Sequence, residues 1–103
     1  MQAMSVIDIR SIIHRAEPEL RAAGLSALYL FGSQARGDAG DESDIDFVFD
    51  VAAEVDETFS LLDQVRVQLN LQEMFGKKVD FIERRALRPR IRARVEAEMV
   101  RLL

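Results

Sequence analysis

Two aspartates separated by one residue are the strongest chemical signal in this sequence. Asp44 and Asp46 flank Ile45 at the start of an apolar run that ends at Val51. In an extended strand, residues i and i+2 point to the same face, so the two carboxylates would lie about 6 to 7 Å apart. That spacing suits one or two hard cations, and Mg²⁺ prefers oxygen ligands of this kind. An acidic, solvent-exposed strand face is the alternative, and the apolar neighbours disfavour it.

A third carboxylate, Asp80, interrupts the apolar run that ends at Ile82. A buried charge without a partner costs several kcal/mol, so Asp80 needs a cation or an ion pair. Arg36 or Lys78 could form the ion pair. A bound metal ion could compensate the charge of Asp80 only if this strand lies beside the strand that bears Asp44 and Asp46. Asp80 could also act as the general base that takes a proton from an acceptor hydroxyl. The candidate catalytic and metal-binding residues are therefore Asp44, Asp46 and Asp80.

A glycine-serine turn follows another apolar run. Gly32 would let the backbone approach a ligand closely, and turn amides of this type bind phosphate oxygens. Ser33 could add a hydroxyl donor and Arg36 a fixed positive charge. A purely structural turn is the commoner explanation of such a dipeptide by itself. Combined with the three carboxylates, it predicts a site for two Mg²⁺ ions and a triphosphate, where the metals activate an attacking hydroxyl and offset charge on the leaving pyrophosphate.

Hydrophobic periodicity predicts the elements that must position these residues, in the order helix, strand, strand, helix, strand, helix. The helices are expected over 5–24, 56–75 and 89–103, and the strands over 27–31, 45–51 and 78–82. Pro18 could bend the first helix, and Gln34 to Arg36 could form one helical turn.

The same periodicity predicts which side chains face the core. In the strand over 45–51, alternation should put Ile45, Phe47 and Phe49 on one face and the aspartates with Val48 on the other. The predicted apolar stripe of the second helix consists of Phe59, Leu62, Val65, Leu69 and Phe75. That of the last helix consists of Ile91, Val95, Met99 and Leu102.

Composition narrows the class of protein. With 103 residues and 49% hydrophobic content, the chain is expected to form one domain over 1–103. It has no cysteine, which excludes disulfides, thiolate zinc sites and cysteine nucleophiles. We expect a soluble, cytosolic protein, because no segment resembles a signal peptide or a membrane span. A net charge of −4 disfavours direct nucleic-acid binding. A basic C-terminal segment, 76–103, could contact a partner.

The motifs resemble those of a known family. The segment Gly32-Ser33-Gln34-Ala35-Arg36-Gly37 followed by Ser43-Asp44-Ile45-Asp46 is similar to the signature of the polymerase-beta-like minimal nucleotidyltransferases. This resemblance, which extends through Asp80 to Pro89, implies an α+β fold with a small mixed sheet backed by helices. It implies that Gly32 and Ser33 meet the triphosphate and that the three aspartates bind metal. Phe49 departs from the family's smaller aliphatic residue. We also expect this protein to be without the extra domain with which larger relatives bind their acceptor.

Minimal proteins of this kind are similar to the antitoxin half of bacterial pairs whose toxin is a HEPN ribonuclease. The resemblance implies transfer of AMP from ATP to a tyrosine of the toxin, within a hetero-oligomer of the two proteins. Two alternatives remain open. The chain could inhibit a toxin by masking it without catalysis, or it could transfer a nucleotide to a small molecule such as an aminoglycoside.

Overall fold

The computed structural model describes residues 4–38, 40 and 44–103. Four helices and four strands alternate along them: α1 Val6–Ala22, β1 Leu25–Phe31, α2 Gly32–Arg36, β2 Ile45–Val51, α3 Leu61–Phe75, β3 Val79–Glu83, α4 Pro89–Glu98 and β4 Val100–Arg101. Short 3₁₀ turns lie at Ala53–Val55 and Arg84–Ala86. Within the described ranges, no helix has the length and apolar character needed to cross a membrane.

The four strands form one sheet in the order β3-β2-β1-β4. Strand β1 pairs antiparallel with both β2 and β4, whereas β2 and β3 run parallel. A parallel pair needs a crossover connection, and α3 supplies it. The predicted α+β class with a small mixed sheet is therefore confirmed. That residues 1–103 form a single domain stays a prediction.

The two faces of the sheet are covered unequally. The main core contains Ile45, Phe47 and Phe49 of β2 and lies under α1 and α3. A smaller apolar cluster on the opposite face contains Val48 of β2 and Val95 of α4. The alternation predicted for β2 is therefore correct, and Asp46 lies on the face that α4 covers only in part.

Side-chain caps fix where the two longer helices begin. Ser5 and Asp8 form a reciprocal capping box at the start of α1, and Ser60 and Asp63 form another at the start of α3. These caps satisfy backbone N–H groups that lack intrahelical partners. Pro18 lies inside α1 without ending it, because the helix continues to Ala22.

The apolar face predicted for the second helix was wrong in part. Phe59 precedes α3 although it packs against the main core, and Leu62, Val65 and Leu69 are 59%, 39% and 57% exposed. Phe75 is buried as predicted, and the other buried side chains of α3 are Val67 and Leu71.

Glutamines on α3 explain this orientation. Gln64 and Gln68 donate from Nε2 to the carbonyl oxygens of Phe81 and Val79, at 3.1 and 2.8 Å. Gln72 Oε1 accepts a hydrogen bond from the Val79 amide at 3.2 Å. Three polar side chains one turn apart therefore satisfy the outer edge of β3, beside which the described part of the chain places no further strand.

The C-terminal prediction was also wrong in part. The last helix ends at Glu98, since Met99 is extended and Val100–Arg101 pairs with β1 as β4. Ile91 is 49% exposed, although Leu102 is buried as expected. The amide of Leu102 donates to the Leu28 carbonyl at 2.8 Å, so this residue reaches the core from a strand. The backbone N–H and C=O groups along the edge of β1 pair with residues 100–101, and this pairing was favoured over a further turn of helix.

Two leucines on α3 test this orientation directly. We expect Leu71→Ala to lower the free energy of unfolding by about 2 to 5 kcal/mol, because Leu71 is fully buried and truncation leaves a cavity. The matched control Leu69→Ala removes the same atoms from an exposed position and should cost about 0.5 kcal/mol or less. Urea denaturation measures both, and equal losses would contradict the observed orientation of α3.

Candidate active site

The parallel pairing of β2 and β3 places two aspartates side by side. Asp46 is directly opposite Asp80 in the register of the two strands. Since Val79 and Phe81 both belong to the main core, Asp80 points to the opposite face, where Asp46 also lies. Two residues 34 positions apart in sequence thus form a carboxylate pair, which is the arrangement that the metal hypothesis required.

The electrostatics of this pair are unfavourable without a cation. Burial raises the pKa of Asp46 to about 6, with further contributions from a hydrogen bond to Asp80 and from the charges of Asp80 and Asp44. The charge of Arg36 acts in the opposite direction. Two carboxylates this close repel each other when both are ionised, so one proton or one cation stabilises the pair.

Neither cation proposed as an ion-pair partner for Asp80 fills that role. Lys78 Nζ lies 3.9 Å from Asp44 Oδ2, and Arg36 pairs with other carboxylates. Among the residues that the structure describes, no ion pair with Asp80 is present. The structural alternative for this carboxylate therefore lacks support.

Asp44 stands at the edge of the pair. It immediately precedes β2, and its side chain is 42% exposed. Its charge raises the pKa of Asp46, but no three His, Cys, Asp or Glu side chains in residues 4–38, 40 and 44–103 form a group that could enclose a metal ion. The donor set nevertheless fits Mg²⁺, which one or two carboxylates usually hold together with waters and substrate phosphates.

Gly32 brings the turn after β1 against the aspartate pair. Its φ of +74° lies in the left-handed region, and a Cβ at this position would overlap Asp46 Oδ2. Only glycine meets both conditions. Ser33 follows in the first turn of α2. The turn residues predicted to bind phosphate thus lie beside the acidic pair.

Arg36 is oriented by two carboxylates. Its Nε lies 3.3 Å from Asp38 Oδ2, and its Nη1 lies 3.4 Å from Glu98 Oε2 on α4. The hydrogen bond to Asp38 is the main reason that the pKa of Arg36 is raised. This guanidinium remains about half exposed, so a triphosphate could reach it.

Sequence reasoning missed two features of this region. Glu98 is 62 positions from Arg36, and no local pattern connects the two residues. Gln34 is 2% exposed, and neither its Nε2 nor its Oε1 has a partner in the described structure. A buried amide without a partner costs about 1 to 3 kcal/mol, and a polar residue inside a glycine-rich turn gives no hint of such burial. Ser43, the first residue of the aspartate motif, lies outside the described residues.

Comparison with known proteins agrees with this geometry. The family model described as a nucleotidyltransferase domain matches residues 13–102. This chain belongs to that family and is a nucleotidyltransferase. A candidate protein adenylyltransferase of Methanocaldococcus jannaschii is 34% identical over 94% of this chain and 100% of its own length. The protein adenylyltransferase MntA of Thermococcus cleftensis is 31% identical over 97% of this chain and 98% of its own length.

Solved structures share the fold of this nucleotidyltransferase. A candidate minimal nucleotidyltransferase is 31% identical, with a TM-score of 0.79 over 94% of this chain and 95% of that one. A toxin-antitoxin complex with AMP-PNP gives 0.73 at 23% identity over 91% and 72% of the two chains. A complex of tri-AMPylated Shewanella oneidensis HEPN toxin with MNT antitoxin gives 0.65 at 20% identity over 91% and 71%. Because the last two structures are less than 25% identical to this chain, these similarities show only that the fold is shared.

Two glycines of the turn allow a matched test of the close approach at Asp46. Alanine at Gly32 or Gly37 should each cost about 1 to 2 kcal/mol of backbone strain, because both have a positive φ. Only Gly32→Ala also displaces the Asp46 carboxylate, since nothing lies within 4 Å of a Cβ at Gly37. We expect kcat/KM for nucleotidyl transfer to fall at least 100-fold in Gly32→Ala and less than 10-fold in Gly37→Ala. Similar losses in the two variants would show that strain alone explains the effect.

The raised pKa of Asp46 predicts how stability depends on pH without divalent metal. The folded nucleotidyltransferase binds this proton more tightly than the unfolded chain does. The resulting stabilisation is present below the ordinary value of 3.8 and is lost as the pH rises to about 6. Asp46→Asn should therefore become more stable than the wild type across this window, by about 1 to 2 kcal/mol at neutral pH after allowance for partial solvent access.

Urea denaturation in EDTA between pH 4 and pH 8 measures this difference. Asp56→Asn is a control of opposite sign, because a hydrogen bond to Arg85 holds the pKa of Asp56 below its ordinary value. That variant should remain less stable than the wild type throughout this range, because the stabilisation from a lowered pKa is fully present above the ordinary value of 3.8. A pH-independent gap between Asp46→Asn and the wild type would argue against the raised pKa.

Proposed function

We propose that this nucleotidyltransferase moves AMP from ATP to a protein hydroxyl in a Mg²⁺-dependent reaction. The acceptor would be a tyrosine of a HEPN ribonuclease toxin, which the modification silences, so that the chain acts as the antitoxin. The observation that carries the proposal is the meeting of Asp46 and Asp80 next to the Gly32 turn. It combines a cation site, a possible base and a place for phosphate on one face of the sheet.

The relatives support both the reaction and the partner. The similar proteins of M. jannaschii and T. cleftensis bear the name protein adenylyltransferase, the former as a candidate. The Shewanella complex pairs an MNT antitoxin with a HEPN toxin that carries AMP. Because both named relatives align along nearly their whole length, the proposal needs no domain beyond those that they have.

Three carboxylates would hold the metal. Asp44 and Asp46 would be the principal Mg²⁺ ligands, and Asp80 would complete the set with substrate phosphate and water. Two bound Mg²⁺ ions would offset the charge of the triphosphate and lower the pKa of the attacking hydroxyl. Without metal, the repulsion between Asp46 and Asp80 costs free energy. Bound cations would remove that repulsion, so the pair favours cation binding.

The turn residues would hold the nucleotide. Gly32 allows the backbone to come near the phosphates, and Ser33 offers a hydroxyl donor. Arg36 would add a positive charge, exchanging part of its contact with Asp38 or Glu98 for phosphate oxygen. In the transfer step Asp80 takes the proton of the tyrosine hydroxyl, whose oxygen bonds to the α-phosphorus as the bond to the β-phosphate oxygen breaks and pyrophosphate leaves.

The biological setting follows from the acceptor. A reaction between two proteins requires a hetero-oligomer, at least a transient one, and we propose that it forms in the cytoplasm. Direct nucleic-acid binding is not part of this function. Exposed arginines of the basic segment 76–103, such as Arg88 and Arg90, would contact the protein partner.

Asparagine substitutions separate catalysis from simple masking. We expect the double variant Asp44→Asn, Asp46→Asn to lose at least 1,000-fold in transfer of label from α-labelled ATP to the HEPN protein proposed as acceptor, which is the product of the adjacent gene under this proposal, because its metal ligands are gone. The same variant should still bind the HEPN protein but should leave its ribonuclease activity intact. Mass spectrometry of the labelled protein identifies the modified residue.

Glu73→Gln provides the control. This exposed residue on α3 lies on the side of the sheet opposite to the aspartates, so its loss should change transfer by less than twofold. Full inhibition of the ribonuclease by the double variant would contradict the enzymatic proposal and favour masking. Unchanged label transfer in EDTA would contradict the requirement for metal.

A further inference from the structure

A polar cavity of about 510 Å³ lies at the end of the sheet away from Asp46 and Asp80. Its lining comes from β1, β2, β3, the following 3₁₀ turn and α4: Ser26, Asp50, Val51, Glu83, Arg84, Arg85, Arg92 and Glu96. Asp50 belongs to the same strand as Asp46, four residues further along. The cavity therefore opens on the face of the sheet that bears the aspartate pair.

Ion pairs account for most charges of this cavity. Arg84 donates to both carboxylate oxygens of Asp50, at 2.9 and 2.8 Å, and to Glu96 at 3.2 Å. Tyr29 donates a hydrogen bond to Asp50 at 3.2 Å, which fixes this network against β1. Arg85 pairs with Asp56 and Glu83.

Arg92 differs from these arginines. It is half-buried in the first half of α4, and its guanidinium takes part in no ion pair or hydrogen bond within the described residues. None of its nitrogens is buried without a partner, so the guanidinium is accessible to a ligand in the cavity. A guanidinium of this kind binds a carboxylate through two parallel hydrogen bonds.

The surface between the cavity and the aspartate pair is partly exposed. Ile82 of β3 lies between Asp80 and Arg84, which begins the following 3₁₀ turn, and it is 36% exposed. Among the described residues, the apolar cluster beneath α4 takes its sheet residues from β1 and β2 and none from β3. Four strand residues span about 13 Å, which is the length of a short peptide segment but too long for a single side chain.

We infer that this cavity is a docking site for a segment of the acceptor protein, and that Arg92 binds an acidic side chain of that segment. The inference rests on the proposed function, since it places the acceptor hydroxyl at Asp80 and the acidic side chain about 13 Å away. In an extended segment, that distance corresponds to about four residues between the two groups. Arg92 thereby acts as a specificity residue for the protein acceptor and contributes nothing to binding of ATP.

The test compares Arg92→Ala with Arg94→Ala, which removes the same charge from an exposed position on the same helix. The probe is the HEPN protein proposed as acceptor, taken as the product of the adjacent gene. We expect Arg92→Ala to raise KM for that protein at least 10-fold with kcat nearly unchanged, and to weaken its Kd to a similar extent in calorimetry. Arg94→Ala should change each value less than twofold, and Arg92→Lys should recover most of the loss. The Kd for ATP should stay within twofold in all three variants.

Each result bears on the inference separately from the proposed function. Equal KM and Kd values in Arg92→Ala and Arg94→Ala would overturn it while AMP transfer by the wild type continues. A weaker Kd for ATP in Arg92→Ala with unchanged acceptor binding would also overturn it, because the cavity would then serve the nucleotide. If the wild type transfers no AMP, the proposed function fails, and the Kd of the HEPN protein alone decides whether Arg92 contacts it.

Discussion

The site depends on the register of one parallel strand pair. If β3 were shifted by one residue against β2, Asp80 would point into the main core and Asp46 would face an apolar side chain. The core prevents that shift, because Phe81 packs against Phe49 with ring centroids 4.0 Å apart and nearly parallel planes. Apolar packing on one face of the sheet thus fixes a repulsive pair of carboxylates on the other.

Helix α3, which connects β2 to β3, helps to maintain this register in two ways. Its buried stripe contributes Leu71 and Phe75 to the core, and Phe75 contacts Phe47 with ring centroids 5.8 Å apart. Its glutamines satisfy the free edge of β3, which would otherwise be open to pairing with another chain. An edge strand that bears a catalytic candidate is therefore held on both sides, by β2 through backbone pairing and by α3 through side chains.

On the opposite face, α4 divides the surface into two regions. Glu98, the last residue of α4, contacts Arg36 of the turn after β1, and Glu96, two residues earlier, contacts Arg84 of the cavity. Surface ion pairs contribute little stability individually, so these contacts act mainly on orientation. One short helix thereby contacts both the turn expected to bind nucleotide and the cavity inferred to bind the acceptor.

The sequence by itself determined that this protein is a nucleotidyltransferase, because the motifs of glycine, serine and aspartate at fixed spacings are local signals. It also determined the alternation of β2, since the side-chain period of a strand needs no distant information. Only the tertiary structure decided which face of α3 is buried and that residues 100–101 pair as a strand. Both outcomes depend on hydrogen-bonding groups of other strands, which periodicity cannot detect. The meeting of Asp46 with Asp80 likewise required the fold, because strand order is a property of the whole chain.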